Sequence, residues 1–169
     1  GLIAASENPK NTIIFRELMR VPGIVAYSSL DVIGVQICAA AKNVIAVVFG
    51  CLDAVAENSD LFGDNTESLL LAAGLNEIQT LGFAMGATHS ETFTSISGVG
   101  DLDVTCRSKY GRNRRFGQEI ITKNILKNFS SIDDLISRIG EIGYLPEGAV
   151  ACKYVHEIVE KHNIKLPIS

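Results

Sequence analysis

A surplus of positive charge is the first thing this sequence lacks: its formal net charge is -4 at pH 7. Sequence-independent affinity for a phosphate backbone comes from excess Lys and Arg, so a general nucleic-acid binder is excluded and any anion site must be local. Cysteine is sparse. Cys38, Cys51, Cys106 and Cys152 stand far apart, with no CxxC pair and no histidine at ligand spacing. Neither a zinc site nor a disulfide framework is indicated, no metal is expected, and reduced thiols in the cytoplasm fit. There is no Walker A sequence and no GxGxxG following a strand, so a nucleotide phosphate loop is not encoded here. The first residues lack the basic start and apolar run of a signal peptide, and repeats, low-complexity tracts and heptads are missing too. No initiator Met is present and the sequence stops abruptly at Leu166-Pro167-Ile168-Ser169. The expectation is a piece of a longer protein, truncated at its C-terminus.

What is present is globular. Hydrophobic residues at 47% and charged residues at 20% suffice for one packed core in 169 residues. Residues 2–5 are a short apolar run, Asn8-Pro9 supplies a cap followed by proline at the first helical position, and Ile13, Ile14, Leu18 and Met19 give that helix an apolar stripe. Pro22-Gly23 ends it before an extended Ile24-Val25-Ala26-Tyr27. Such a strand-helix-strand unit cannot bury its own faces, which predicts that residues 1–30 are the tail of a larger α/β sheet. The rest reads as mainly α. Between Asp31 and Asp53, Lys42 is the only charged side chain, and both faces of the implied helix are apolar: Ile33, Ile37, Ala40, Val44, Val47 and Cys51 on one, Cys38, Ile45 and Phe49 around Lys42 on the other. A membrane span is disfavoured by the central Lys, at a cost of about 2.5 to 3.5 kcal/mol, with Gln36 and Asn43 adding to it. A turn at Gly63-Asp64-Asn65 precedes a helix over about 66–87 with Leu69, Leu70, Ala73, Ile78, Leu81 and Met85 inward. Gly82 and Gly86 lie four apart on its face, a spacing that either admits a close neighbour or frays a helix end. Further helices are predicted over 111–125, over 132–139 behind a Ser131-x-x-Asp134 capping box, and over 147–162.

Four places can carry chemistry. Lys42 sits on an apolar helix, where loss of hydration favours the neutral amine, a proton acceptor; the alternative is a lysine that snorkels or pairs with a structural carboxylate. Asn43 beside it offers an amide. In Ser97-Gly98-Val99-Gly100-Asp101, two glycines make a turn before a carboxylate that either caps a helix or, held at the end of a constrained loop, orients an ammonium or a hydroxyl. Residues 107–115 pack Arg107, Lys109, Arg112, Arg114 and Arg115 into nine positions: a solvated basic face, or an anion site in which Arg forks match phosphate oxygens and Asn113 opens a helix. Leu145-Pro146-Glu147-Gly148 puts a carboxylate on a proline-initiated helix start.

Taken in order, Asp31-Val32-Ile33-Gly34-Val35-Gln36 leading to Lys42-Asn43, Gly63-Asp64-Asn65, Gly74-Leu75-Asn76-Glu77, Gly98-Val99-Gly100-Asp101-Leu102 with Thr105-Cys106, Arg112-Asn113-Arg114-Arg115-Phe116-Gly117, Glu147-Gly148 and Leu166-Pro167-Ile168 resemble the bacterial-type NAD(P)-dependent glycerol-3-phosphate dehydrogenase family. The match spans nearly the whole chain. The resemblance implies a helical C-terminal dehydrogenase domain, similar to the C-terminal domain of 6-phosphogluconate dehydrogenase, over residues 31–169, preceded by a β-α-β remnant of a Rossmann domain over residues 1–30. It also implies interconversion of sn-glycerol 3-phosphate and dihydroxyacetone phosphate with NAD or NADP, in the cytoplasm, supplying the backbone for phospholipid synthesis.

By position, Lys42 matches the family's proton acceptor. Lys42, Asp101, Thr105, Gly111, Arg112 and Asn113 match substrate-side positions, and Arg112, Leu145 and Glu147 match places that touch the cofactor. Implied partners are glycerol 3-phosphate and dihydroxyacetone phosphate, the chain's own Rossmann domain and a second copy in a homodimer. Two departures stand out: Gly111 where many members have Ser, and Ala73 where many have Arg. Residues 118–146 are longer than usual. The isolated piece is expected to be inactive. The alternatives are another dehydrogenase built from a Rossmann and a helical domain, and a noncatalytic anion- or RNA-binding module using residues 107–115.

Overall fold

The structure is a computed structural model that describes all residues but 58 and 60. It opens with β1 (Leu2–Ala5), α1 (Pro9–Leu18) and β2 (Ala26–Ser29), the two strands pairing in parallel with Leu2 opposite Ala26 and Ala5 opposite Ser29. Asn8 caps α1 by accepting from the Lys10 N–H, with Pro9 in the first turn as expected. The second strand begins two residues later than the sequence suggests. Gly23 takes a positive φ of 86°, the Ile24 N–H closes a turn onto the Val21 carbonyl at 3.0 Å, and only from Val25 does the backbone reach β1. The stripe on α1 faces outward, with Leu18 70% exposed and Ile13, Ile14, Phe15 and Met19 also exposed.

The remainder is helical: α2 (Val32–Ala56), α3 (Asp64–Met85), α4 (Glu91–Thr94), a π-helical turn over Ile96–Gly100, α5 (Asp101–Arg107), α6 (Arg112–Thr122), α7 (Ile132–Ser137) and α8 (Glu147–His162), with 3-10 turns at Ile125–Asn128 and Ile139–Ile142. α2 is long and apolar enough to cross a membrane by length and composition. Here α3, α5, α6 and α8 pack around it, which accounts for apolar residues on both of its faces. Val44, Ile45, Ala46 and Phe49 of α2 form the main core with Ile78 and Leu81 of α3, Phe93 of α4, Leu102 and Cys106 of α5 and Val155 of α8. A second cluster joins Val47, Phe116, Leu135 and Ala149.

The α3 stripe is only partly as expected. Ile78 and Leu81 are buried, but Leu69 is 69% exposed and Met85 is also exposed. Leu69 lies along an open apolar groove of about 520 Å³ between the end of α2 and the start of α3, which also takes in Phe62 and Ile168. Gly82 admits the Phe93 ring, since a Cβ there would fall 2.4 Å from it, whereas Gly86 ends the helix at a φ of 102°. α6 stops at Thr122 rather than about 125 because Asn124 turns left-handed, at a φ of 53°.

Two buried carboxylates tie loops to this frame. Asp31 caps α2 through the Gly34 N–H and accepts from Thr88 N, His89 N and Thr92 Oγ1, pinning residues 88–92 against β2's exit. Burial pushes its pKa up, but those hydrogen bonds outweigh burial and hold it below the ordinary aspartate value. Glu77 accepts from the backbone N–H groups of Ile168 and Ser169, at 2.7 and 2.9 Å, and so fixes the last residues against α3.

Candidate functional site

Lys42 lies midway along α2, and its Nζ is 2.6 Å from Oδ2 of Asp101 at the start of α5. The side chains are 19% and 34% exposed. The amine therefore has a carboxylate partner rather than wholly apolar surroundings, and its side chain is mostly buried rather than out in bulk water.

Local structure explains where Asp101 sits. The π turn over Ile96–Gly100 is held by Ser95, which accepts from the Ser97 N–H and donates to the Thr92 carbonyl at 2.8 Å; Ser97 Oγ donates to the same carbonyl at 3.1 Å. Gly98 passes so close to Phe93 that a Cβ would lie 1.9 Å from its carbonyl oxygen, a position only glycine can fill. Single π turns recur at functional sites. Asp101 occupies the first turn of α5 with Gly100 as cap, so its carboxylate goes to Lys42 instead of to capping. The Thr105 hydroxyl donates to the Asp101 carbonyl at 2.6 Å, which leaves its oxygen lone pairs as what it can offer a ligand.

Three neighbouring pairs then converge. Asn43 Oδ1 accepts from Asn113 Nδ2 at 2.9 Å, and Asn113 Oδ1 accepts from the Gly148 N–H at 2.8 Å. Asn43 follows Lys42, Asn113 follows Arg112, and Gly148 follows Glu147, so this buried bridge brings α2, α6 and the start of α8 together. Arg112 Nη2 pairs with Glu147 Oε1 at 2.5 Å, the guanidinium 57% exposed. Asn113 thus has its amide oxygen and one amide hydrogen engaged within the protein. Gly111, in extended backbone (φ −66°, ψ 123°), caps α6 without a side-chain hydrogen bond. Leu145 is exposed, on the segment leading through buried Pro146 into α8.

A cleft of about 550 Å³ runs between β1 and the helices, lined by Leu2, Ile3, Val35, Ala39, Gly100, Asp101 and Val104 among others. A slightly larger cleft, of about 590 Å³, lies between residues 27–30 and 89–96. Asp101 does not line it. Burial, reinforced by the Asp31 and Asp101 charges, pushes the Cys38 thiol up to about 12, and burial likewise carries Cys106 to about 12. Neither is a nucleophile near neutral pH. Among the described residues no three of His, Cys, Asp and Glu are grouped as metal ligands.

The basic run is not a bare patch. Arg107 pairs with Asp103, Arg112 with Glu147, Arg114 with Asp53 and Arg115 with Glu119. Sequence reasoning missed the Asp53–Arg114 pair, although one signal was there: Asp53 follows Lys42 by eleven residues, about three helical turns, and so shares its face of α2. It also missed Glu119, a buried carboxylate held by Arg115, Lys123 and Tyr144.

Residues 31–169 match the family model described as the NAD-dependent glycerol-3-phosphate dehydrogenase C-terminus. The chain is 73% identical over 168 residues to a Treponema denticola protein named glycerol-3-phosphate dehydrogenase (NAD(P)+), and 64% identical to the Treponema pallidum protein of the same name; each alignment covers 99% of this chain and 47% of the relative. The chain therefore spans about half the length of the curated relatives it matches. Among solved structures, a Coxiella burnetii glycerol-3-phosphate dehydrogenase superposes with a TM-score of 0.79 at 28% identity, again over 99% of this chain and 47% of that one. A Dunaliella salina structure with a TM-score of 0.75 at 24% identity shares the fold. By its helical architecture and by this match, the chain belongs to the family of NAD-dependent glycerol-3-phosphate dehydrogenase C-terminal domains.

Proposed function

We propose that this chain is the substrate-binding and catalytic half of a cytoplasmic enzyme that interconverts sn-glycerol 3-phosphate and dihydroxyacetone phosphate with NAD or NADP, supplying the backbone of phospholipids. The observation that carries the reading is the Lys42–Asp101 pair at 2.6 Å beside a cleft, tied through Asn43 and Asn113 to the exposed Arg112 guanidinium. Residues 1–30 are the last part of a cofactor domain and residues 31–169 the substrate domain. That division is supported by the start of the family match at residue 31 and by the uncovered apolar face of α1.

The residues present fit the near end of a dinucleotide. Arg112 offers exposed donors for a phosphate and Glu147 offers a carboxylate for ribose hydroxyls, with Leu145 as an apolar neighbour; these three would hold that end. When bound, the nicotinamide supplies or accepts the hydride at C2 of the substrate. Lys42 handles the proton: in reduction its ammonium donates to the ketone oxygen and protonates the developing alkoxide, and in oxidation the amine takes the hydroxyl proton. Asp101 holds the amine in place through both directions. Arg112, the remaining Asn113 N–H and the backbone N–H groups at the start of α6, with Gly111, grip the phosphate, and Thr105 accepts from a substrate hydroxyl. Remote phosphate binding then aligns C2 with the amine.

The test is an NAD(P)H absorbance assay of the full-length protein containing this chain, with dihydroxyacetone phosphate compared against 2-keto acids and sugar acids. Oxidation of the cofactor with dihydroxyacetone phosphate far above the others is the expected result. Preference for another carbonyl substrate, or binding without turnover, overturns the reading.

A further inference from the structure

Arg114 joins the three helices that carry the proposed site. Its Nε and Nη2 grip both carboxylate oxygens of Asp53 on α2, the Nη2–Oδ1 distance being 2.7 Å, while Nη1 donates to the Arg107 carbonyl at the end of α5 at 2.9 Å. Gln118 Nε2 completes the cluster with a 3.0 Å bond to Asp53 Oδ2. The Arg114 and Asp53 side chains are 17% and 13% exposed. Each helix reaching this node carries one working group. On α2, Lys42 is eleven residues from Asp53 on the same face, a lever of about 16 Å. On α5, Asp101 is six residues from Arg107, a lever of about 9 Å. On α6, Arg112 is two residues from Arg114.

α6 has other ties to α2. Gly50 and Gly117 let the two backbones touch, and Asn113 bridges to Asn43. α5 is held differently. Its Leu102 and Cys106 sit in the core and Asp101 pairs with Lys42 at its N-terminal end, while at its C-terminal end Arg107 pairs with Glu67 of α3 at 3.6 Å and gives its carbonyl to Arg114 of α6. We propose that Arg114 is a positioning residue that sets the placement of Asp101 and Lys42 relative to Arg112. The proposal rests on the function proposed above for those three groups. A lysine in its place keeps the charge opposite Asp53 but cannot present the planar fork and a third donor at once. A buried pair of this kind is weak evidence for stability, so its weight falls on geometry.

The experiment uses the full-length protein with Arg114→Lys and Arg114→Ala, measuring kcat and both KM values with dihydroxyacetone phosphate and NAD(P)H, thermal melting, and backbone hydrogen exchange. Misplacement by about 1 Å costs on the order of 100-fold in turnover. Arg114→Lys is expected to stay folded with unchanged cofactor KM while kcat falls about 10- to 100-fold, and millimolar guanidinium is expected to restore turnover to Arg114→Ala. Wild-type kcat in the folded Arg114→Lys protein overturns the proposal. So does a loss of activity in both variants that only follows the unfolded fraction and is not rescued. If the wild-type protein itself does not turn over dihydroxyacetone phosphate, the proposed function fails, and hydrogen exchange decides the positioning role: faster exchange confined to residues 101–113 in Arg114→Lys supports it, and unchanged exchange there overturns it.

Discussion

Asp101 is where charge and geometry meet. Its carboxylate lies 2.6 Å from the Lys42 amine and is delivered there by a π turn whose serines bond the Thr92 carbonyl. Asp101→Asn keeps the shape but removes the charge that holds an ammonium, and in the full-length enzyme it should lower kcat by about 100-fold or more, as NAD(P)H kinetics would show. A second carboxylate works for stability instead. Burial pushes Glu119 up, but hydrogen bonds from Lys123, Tyr144 and Arg115 outweigh burial and hold it at about 2, below its ordinary 4.5. A depressed folded pKa means stability that is fully present above the ordinary value and lost as pH falls from about 4.5 towards about 2. Thermal melts of wild type and Glu119→Gln across that window should show the wild type losing more stability on acidification; parallel curves would contradict the assignment. Lys42, Asp101 and Arg112 were legible because each breaks a local pattern: a lone charge in an apolar run, a carboxylate after paired glycines, a basic run in an acidic chain. Asn113 stood out as a candidate site residue but its bridging role did not, because the 70 residues separating it from Asn43 leave no trace in local spacing.

α2 and α6 meet backbone to backbone. A Cβ on Gly50 would lie 1.8 Å from the Arg114 carbonyl oxygen, and one on Gly117 would lie 1.9 Å from that of Val47. Gly50→Ala must push the helices apart, and urea denaturation should show a loss of about 3 kcal/mol or more. Gly111 contrasts with it. Its backbone is extended and a Cβ would meet nothing closer than the Ser108 carbonyl oxygen at 3.2 Å, so Gly111→Ser should fold and gain a few tenths of a kcal/mol by capping α6. A loss above about 1 kcal/mol would show that the cap position is more crowded than the backbone suggests. The long helices were legible from the 3.6-residue period and their caps, α8 to the residue. The π turn was not, because glycines before an aspartate read as an ordinary turn. β2 was placed too early because Ile24 and Val25 are apolar, yet pairing with β1 and the Gly23 turn set the register.

At the scale of the whole molecule, two surfaces are apolar and open: the α1 face with Ile13, Ile14, Phe15 and Leu18, and the groove beside Leu69. On the function proposed above, the first is the face that a cofactor domain would cover, and the cleft beside Asp101 is bordered by β1 on that side. Residues 1–169 alone should therefore show no turnover with dihydroxyacetone phosphate and NAD(P)H; measurable turnover by the purified piece would mean that the cofactor needs less of a second domain than the family architecture implies. The proposed chemistry turns on the Lys42 amine. The most direct measurement is the turnover of the full-length protein with Lys42→Ala, alongside its affinity for NAD(P)H. Loss of general acid–base catalysis should cost about 100- to 10,000-fold in kcat with cofactor affinity retained; wild-type turnover would contradict it.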